Sequence, residues 1–542
     1  MKKVLYGWML FNVLFVSGVL GIQPAQADVQ KEYKLYVMAP LTEITDWEAF
    51  EEKLKTMKEN GVYALTTDIW WGMVEGEGDN QFDWSYYEKY AQTVEASGLK
   101  WVPIMSTHQC GGNVGDDCNY PIPSWLWKKD SAENMAFKSE SGYVNKEALA
   151  PWWKGTAKQY EEFYRAFAKQ FADEEDLIVK IYLSGGPAGE LRYPSYQFAD
   201  NWKWPERGQL QAYTEGAKKS FQEAMQKKYK NIKKLNAAWG TSYKKWSDIQ
   251  SPASGDTFFT SGQAYNTAYG QDFMNWYQGA LETHMASISK AAHKQFDRVF
   301  DVPIGVKISG VHWKMNDPEM PHAAEYSTGY YSYERLLDKV KEANLALTFT
   351  CLEMDDANAQ AAPYYSAPKT LVTQIATLAN ERGISLNGEN ALAMINNEWG
   401  FDNSAEMTFN YGFDGFTLLR MNYLFDNVTG NPTKEFHMMV DKLALTQMPV
   451  TFTVSKVPED AKHVYVIGNR GEIGRWHPDQ YKYELTKNTD GSWSGSVNLA
   501  ADRSYSFKFL YENADGKRFW QNGENNKYTT PSAGEAFFNG EW

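Results

Sequence analysis

Residues 178–193 read IVKIYLSGGPAGELRY, and the run changes character halfway. Apolar and β-branched side chains carry it to Leu183; Ser184, Gly185, Gly186 and Pro187 then stop any helix, and a carboxylate, Glu190, follows. So short an apolar run, ended by turn residues, reads as a buried strand that delivers a loop. Small residues at Gly185, Gly186, Ala188 and Gly189 leave room for a bulky ligand beside the backbone of Glu190. Taken alone, Glu190 reads as readily as a solvated loop acid. The rest of the chain decides between the two.

Working outward, eight strand-like runs lie between residues 33 and 422: Tyr33 to Met38, Val62 to Trp70, Leu99 to Thr107, Ile178 to Leu183, Val302 to Gly310, Leu345 to Glu353, Ile384 to Asn387 and Gly415 to Arg420. Between them, Trp47 to Asn60, Trp84 to Ser97, Gln159 to Phe171, Gln271 to Lys294, Tyr333 to Ala343 and Thr370 to Arg382 show apolar positions at helical spacing. Strand and helix alternating over this length predict an α/β fold, a (β/α)8 barrel of the TIM type. An open doubly wound sheet is the alternative, but no glycine-rich phosphate loop opens a helix after the first strand.

The chain has 542 residues, more than one core normally serves. Lys2 and Lys3 precede an apolar run from Val4 to Ile22, and Ala25-Gln26-Ala27 has the form of a cleavage site, so residues 1–27 are expected to be a secretory signal peptide and the protein to be extracellular. A membrane anchor is the alternative; the run is short and is broken by Asn12, Ser17 and Gly18. Loss of Lys2 and Lys3 takes the formal charge from -14 to -16, which argues against nucleic acid as a partner. Aromatic residues are 15% of the chain and include 21 Trp, a supply of flat faces suited to sugar rings as well as to a large core. The three cysteines allow one disulfide; Cys110 and Cys118, close together with glycines between them, form the natural pair, and Cys351, inside a strand-like run, reads as a free buried thiol.

Near Met448 the texture changes to short alternating runs, TFTVSKV, HVYVIGN, SWSGSVNL and YSFKFLYE, divided by turns such as Asn488-Thr489-Asp490-Gly491. The expected organisation is a catalytic barrel over 28–447 and a β-sandwich over 448–542, with a hinge at Met448 to Pro449.

In a barrel, chemistry sits at the C-terminal ends of the strands. Those ends carry Asp68, His108, Glu190, Lys307 with His312, Thr350 with Glu353, Glu389 with Asn390, and Arg420. Any one could be a satisfied buried polar group; acids, bases and amides on seven strands in succession make a ligand cavity. Glu190 after strand four and Glu389 on strand seven would face each other across its mouth, the acid and base that glycosidic cleavage requires. Neither a His-Glu-x-x-His metal motif nor a Gly-x-Ser-x-Gly elbow occurs.

The strings Asp68-Ile69-Trp70-Trp71-Gly72, STHQCGGNVGDDCNYPIP from Ser106, LSGGPAGELRYPSY from Leu183, KISGVHW from Lys307, FTCLEM from Phe349, LNGENAL from Leu386 and FTLLR from Phe416 resemble the β-amylases. The likeness runs from about Tyr33 to Arg420 and is closest to bacterial members with a starch-binding tail. It implies an inverting glycosidase that releases β-maltose from the non-reducing ends of starch, amylose and maltooligosaccharides, with Glu190 as general acid and Glu389 as general base. Asp68, His108, Asp116, Lys307, His312, Thr350, Asn390, Ala391 and Arg420 match substrate-contacting positions. Gly111 to Asp116 resembles the family's flexible lid, and Thr350 belongs to a second, inner loop. In the tail, which resembles starch-binding modules, Trp476 in GNRGEIGRWHP and Trp520 with Asn525 in KRFWQNGENNKYT match sugar contacts, as does Lys508. Two indoles among Gly, Asn, Pro and charged residues suit a stacking platform better than a core.

The bacterial members also imply one structural calcium ion, held here by Glu75, Asp79, Asn80 and Glu162, although Gln159 stands where an acid is usual. No organic cofactor or catalytic metal, no membrane partner after signal removal, and a monomeric state complete the expectation. Two rival readings stand beside it. A retaining barrel glycosidase also has acids on strands four and seven, but usually carries Asn directly before the acid, where this chain has Gly189. A starch-binding protein without activity is the other, opposed by the presence of both carboxylates.

Overall fold

Eight short parallel strands close on one another: β1 Lys34–Met38, β2 Ala64–Trp70, β3 Lys100–Ser106, β4 Ile181–Leu183, β5 Ile304–Ile308, β6 Ala346–Phe349, β7 Leu386–Glu389 and β8 Gly415–Leu418. Lys34 to Val37 of β1 lie beside Gly415 to Leu418 of β8, so the sheet is a closed barrel without an edge. The structure, a computed structural model, describes residues 33–113, 115–356, 360–478 and 483–542. The expected signal peptide lies outside them. No helix among the described residues is long and apolar enough to cross a membrane.

Helices cover the barrel: α1 Trp47–Glu59, α2 Ser85–Ser97, α3 Thr156–Gln170, α4 Ala268–Phe296, α5 Tyr333–Glu342, α6 Pro368–Glu381, α7 Glu398–Asn410 and α8 Lys434–Lys442. The first shows the local logic. Asp46 caps α1 by accepting from the Ala49 amide at 3.0 Å, and Phe50, Leu54 and Met57, spaced along one face, are buried against the strands. Helix α7 escapes such a reading because Gly400 to Asn410 are all buried, between the strands and the C-terminal module. With no polar face there is no period to detect. Two further helices, Glu215–Tyr229 and Ile232–Trp239, lie in the long connection from β4 to α4.

Several boundaries differ from the sequence reading where the strands meet the site. Strand β6 stops at Phe349, because Cys351 turns into the left-handed region (φ 69°) and Thr350 to Glu353 leave the sheet as a loop. Strand β7 instead continues through Glu389, which pairs with Thr417 of β8 as Gly388 pairs with Phe416.

The C-terminal module comprises β9 Gln447–Ser455, β10 Ala461–Gly468, β11 Tyr483–Lys487, β12 Trp493–Ala500, β13 Ser504–Asn513, β14 Arg518–Trp520, β15 Asn526–Thr529 and β16 Ala536–Glu541. Strand β11 pairs with β10 through Tyr483 to Leu485 and with β12 through Thr486 and Lys487, so it passes from one sheet of the sandwich to the other. Val450, Phe452 and Val454 of β9 meet Val464, Val466, Phe507 and Phe509 in one core. The hinge expected at Met448 to Pro449 is not there: β9 begins at Gln447 and runs through both residues, with Met448 opposite Leu499. Side chains fasten the module to the barrel. Arg470 donates to the Asp441 carbonyl at 2.8 Å, and Arg503 lies 3.7 Å from the Asp441 carboxylate.

Candidate active site

All the residues expected to handle substrate in the barrel line one cavity of about 1170 Å³ at the C-terminal ends of the strands. Asp68, His108, Asp116, Glu190, Lys307, His312, Thr350, Glu389, Asn390, Ala391 and Arg420 all reach its wall. Such a juxtaposition follows from barrel closure, since each strand ends on the same rim.

Glu190 leaves β4 on a loop that needs its glycines. Gly189 has φ 77°, and a Cβ there would sit 3.3 Å from Cε1 of His108. The Leu191 amide donates to the Lys307 carbonyl at 2.8 Å, which fixes the loop to β5. Arg192 Nε donates to Glu190 Oε2 at 2.7 Å, and its Nη2 donates to Asn113 Oδ1 at 3.1 Å. Asn113 and Gln197 in turn donate to the two oxygens of buried Glu147, at 3.0 and 2.6 Å. A buried guanidinium that donates to Glu190 and to the Asn113 amide oxygen orients Glu190 from below, with Glu147 reached through Asn113, while Oε1 of Glu190 has no hydrogen-bond partner among the described residues.

In the same cavity, Glu389 is held differently. Its Oε2 accepts from Lys307 Nζ at 2.6 Å, and both side chains are almost wholly buried. Burial pushes the Glu389 carboxyl above its ordinary range, and the Lys307 ammonium opposes that shift. Lys307 thus serves both acids, through its carbonyl on one side and its ammonium on the other. Asn390 fastens the end of β7 to β8: its amide donates to the Leu419 and Leu392 carbonyls and accepts from the Leu419 amide. That side chain is occupied by the fold. Arg420 donates to the Ala39 carbonyl at 3.1 Å, and Thr350 Oγ1 accepts from the Gly310 amide at 2.7 Å.

Two neutral imidazoles complete the polar wall. Burial lowers His108 to about 3 and His312 to about 4, so neither is charged near neutrality. Their Nδ1 atoms pair with Ser184 Oγ (2.9 Å) and Ser366 Oγ (2.5 Å), which fixes the orientation of both rings. Asp68 accepts from Ser106 Oγ at 2.6 Å and is raised by burial. In the lid segment, Asp116 Oδ2 accepts from the amides of Gly111 and Asn113 at 2.9 and 3.0 Å, and Cys110 and Cys118 at its base are joined as a disulfide. Cys351 is a free, buried thiol.

On the module, the rings of Trp476 and Trp520 lie 6.4 Å apart, outside the main core. Trp520 is 39% exposed, and Trp476 rests on Tyr465, Ile467 and Leu510. Lys508 Nζ donates to the carbonyls of Gln521 and Gly523, pinning the loop that carries exposed Asn525.

Comparison with known proteins bears on both halves. The family model for glycosyl hydrolase family 14 matches residues 36–447, and that for a starch binding domain matches 447–537. The chain belongs to glycosyl hydrolase family 14. It is 48% identical over 538 residues to a thermophilic β-amylase of Thermoanaerobacterium thermosulfurigenes, an alignment covering 98% of this chain and 97% of that one. It is 47% identical over 520 residues to a β-amylase of Bacillus cereus, covering 95% and 93%. Among solved structures, the catalytic domain of β-amylase from Paenibacillus polymyxa superposes with a TM-score of 0.74 at 55% identity, covering 77% of this chain and 99% of that one.

In this family 14 β-amylase the acidic corner expected to hold calcium has a mixed character. Buried Glu75 accepts from Trp71 Nε1 and the Asn80 amide, both at 2.6 Å, while Asp79 pairs with Lys129. Glu162 accepts from Gln159 Nε2 at 2.9 Å. Burial, with the charges of Asp79 and Glu162, raises Glu75 to about 7. No group of three or more acidic, histidine or cysteine side chains among the described residues is arranged to hold a metal ion. One atom nevertheless suits a hard cation: Gln159 Oε1 is buried without a hydrogen-bond partner.

The sequence did not reveal Arg192, Asn113 and Glu147 beneath Glu190, nor the role of Glu353. Glu353 accepts from the Ala391 and Leu392 amides at 3.0 and 2.8 Å and so shapes the turn after Glu389. Arg192, two residues past Glu190, carried a legible signal; Glu147 carried none. Trp202, Trp204 and Trp313 form an aromatic wall in the same cavity, with centroids 5.0 to 6.4 Å apart.

Proposed function

We propose that this β-amylase hydrolyses the α-1,4 bonds of starch by inversion and releases β-maltose from non-reducing chain ends. The observation that carries the reading is the pair of differently held carboxylates in the wall of one cavity, Glu190 on a loop clasped by Arg192 and Glu389 on β7 clasped by Lys307. Glu190 gives its proton to the glycosidic oxygen as the bond to the anomeric carbon breaks. Glu389, whose ionised form Lys307 favours, takes a proton from the water that attacks the opposite face of that carbon. One water is consumed, and the configuration at the carbon is reversed. Neutral His108 and His312, with Asp68, Asp116 and Arg420, meet the sugar hydroxyls, and the indoles of Trp202, Trp204 and Trp313 face the C–H surfaces of the rings.

An exo action is supported by the lid segment, where Asn113 and Asp116 stand in the cavity wall over a disulfide-anchored base. The module's exposed Trp520 beside Trp476 supports starch-granule binding. The Lys2-Lys3 and apolar leader pattern supports secretion. A calcium ion at Glu75, Asp79, Asn80 and Glu162 is supported by the orphaned Gln159 Oε1, an amide oxygen in place of a carboxylate. Its role there is structural, since the corner lies outside the cavity wall.

Proton NMR of the first product from amylose tests the central claim. Nascent β-maltose is the expected signal; α-maltose, or rapid thinning of a starch paste, would overturn it.

A further inference from the structure

The catalytic residues do not account for the whole wall of the cavity. At one place it is built jointly by the barrel and the module, from Trp399 of α7 and His477 of the segment after β10. Trp399 is 50% exposed, yet it is held on several sides. The guanidinium of Arg475 lies 4.3 Å from the indole centroid, donates to the Trp399 carbonyl at 3.4 Å and donates to Asn403 Oδ1 at 2.6 Å. The His477 ring stands 5.1 Å away, tilted by 53°. Between these two residues in sequence, Trp476 packs with Trp520 on the module's own platform. Three consecutive residues therefore join the platform to the cavity.

An indole that is half open to solvent but fixed by a cation over its ring is a rigid stacking surface with little rotamer entropy left to lose. Its position in the wall of a sugar cavity selects the ligand: a pyranose ring offers C–H groups to the indole and hydroxyls to His477. The clasp also reaches the catalytic turn. Asn403 Nδ2 donates to the Glu353 carbonyl at 2.8 Å, and the Glu353 carboxylate holds the Ala391 and Leu392 amides, next to Glu389 and Asn390.

We propose that Trp399, clasped by Arg475 and His477 of the module, is a further glucan-contact residue at the mouth of the catalytic cavity, binding the part of a long chain that lies past the sugars enclosed around the scissile bond. This rests on the reading of the cavity as the site of starch hydrolysis. The module then has two functions: its platform adsorbs the polymer, and its Arg475–His477 segment completes the path by which a chain end enters.

The test is steady-state kinetics of the full-length protein and its Trp399→Ala, Trp399→Phe and His477→Ala variants on long amylose and on maltotetraose. The expected result is a fall in the amylose-to-maltotetraose ratio of kcat/KM of about three- to tenfold for Trp399→Ala, carried by KM. Trp399→Phe should recover part of it and His477→Ala should lose less. An unchanged ratio in Trp399→Ala, or a loss carried by kcat on both substrates alike, overturns the proposal. Should the melting curve show Trp399→Ala to be unfolded, His477→Ala decides, because its side chain is exposed, and an unchanged ratio there is equally fatal. Failure of the underlying functional reading looks different: the unaltered protein would then release no maltose from either substrate.

Discussion

The barrel cavity and the module's indole platform are built on opposite principles. In the cavity the acids have fixed partners: Glu190 with Arg192 of its own loop, Glu389 with Lys307 of β5 and Asp68 with Ser106 of β3. On the platform the surface is two rings, Trp476 resting on Tyr465, Ile467 and Leu510 and Trp520 39% exposed, with Lys508 tying down a loop. The difference teaches where binding and chemistry diverge. A buried charge that loses its partner changes protonation state and disrupts its surroundings, whereas an exposed ring that is removed forfeits only its own contact area.

The sharpest way to break this contrast is at the acids. Glu190→Gln and Glu389→Gln should each leave a folded protein that still binds maltooligosaccharide but turns over about 10²- to 10⁴-fold more slowly. Near-normal turnover of soluble starch by either variant would remove that residue from the mechanism. One step smaller is Lys307→Met, expected to cost about 10²-fold at neutral pH. The sign of its pH effect follows from the structure. Burial raises the Glu389 carboxyl and Lys307 lowers it, so without the ammonium Glu389 protonates at higher pH. A base must be ionised, so the acid limb of the kcat/KM profile should move toward higher pH and the deficit should be greatest on the acid side. An unmoved limb would mean that Lys307 does not tune Glu389.

The platform responds more mildly. Trp476→Ala with Trp520→Ala should weaken adsorption to starch granules about tenfold, and the ratio of soluble to granular activity should rise. Unaltered adsorption isotherms would place granule recognition elsewhere on the molecule. The smallest effect is expected at the acidic corner. If Glu75, Asp79, Asn80 and Glu162 hold calcium, a chelator should lower the melting temperature by about 3 °C or more through lost ligand binding, with little change in turnover. Superimposable melting curves with and without chelator would argue for a solvated corner.

What the sequence determined by itself is whatever one element states locally. Residues 178–183 predict a strand, and Gly185, Gly186 and Gly189 announce a tight loop before Glu190, because β-branched runs and glycines act through their own backbone. The alternation of such strands with helices was enough for the barrel. The barrel in turn was enough to bring eleven separately read residues to one cavity, since closure puts all strand ends on one rim. Trp476 and Trp520 were legible as a pair for a similar reason: loop residues around each of them keep both out of a core.

Only the tertiary structure decided which partners those residues have. Asn113 accepts from Arg192 across 79 residues and donates in turn to Glu147, pairings that neither the lid motif around Asn113 nor anything around Glu147 states. Helix α7, buried on every side from Gly400 to Asn410, shows no amphipathic period, so neither it nor the contact of its exposed Trp399 with Arg475 and His477 was readable. The supposed hinge at Met448 failed because a change of texture marks the start of a new core but not the freedom of the joint; Arg470, Arg503 and Arg475 fasten that joint through side chains. Propensity and period act along the chain, while ion pairs, clasped rings and shared cavities act across it, and the second kind depends on distances that exist only after folding.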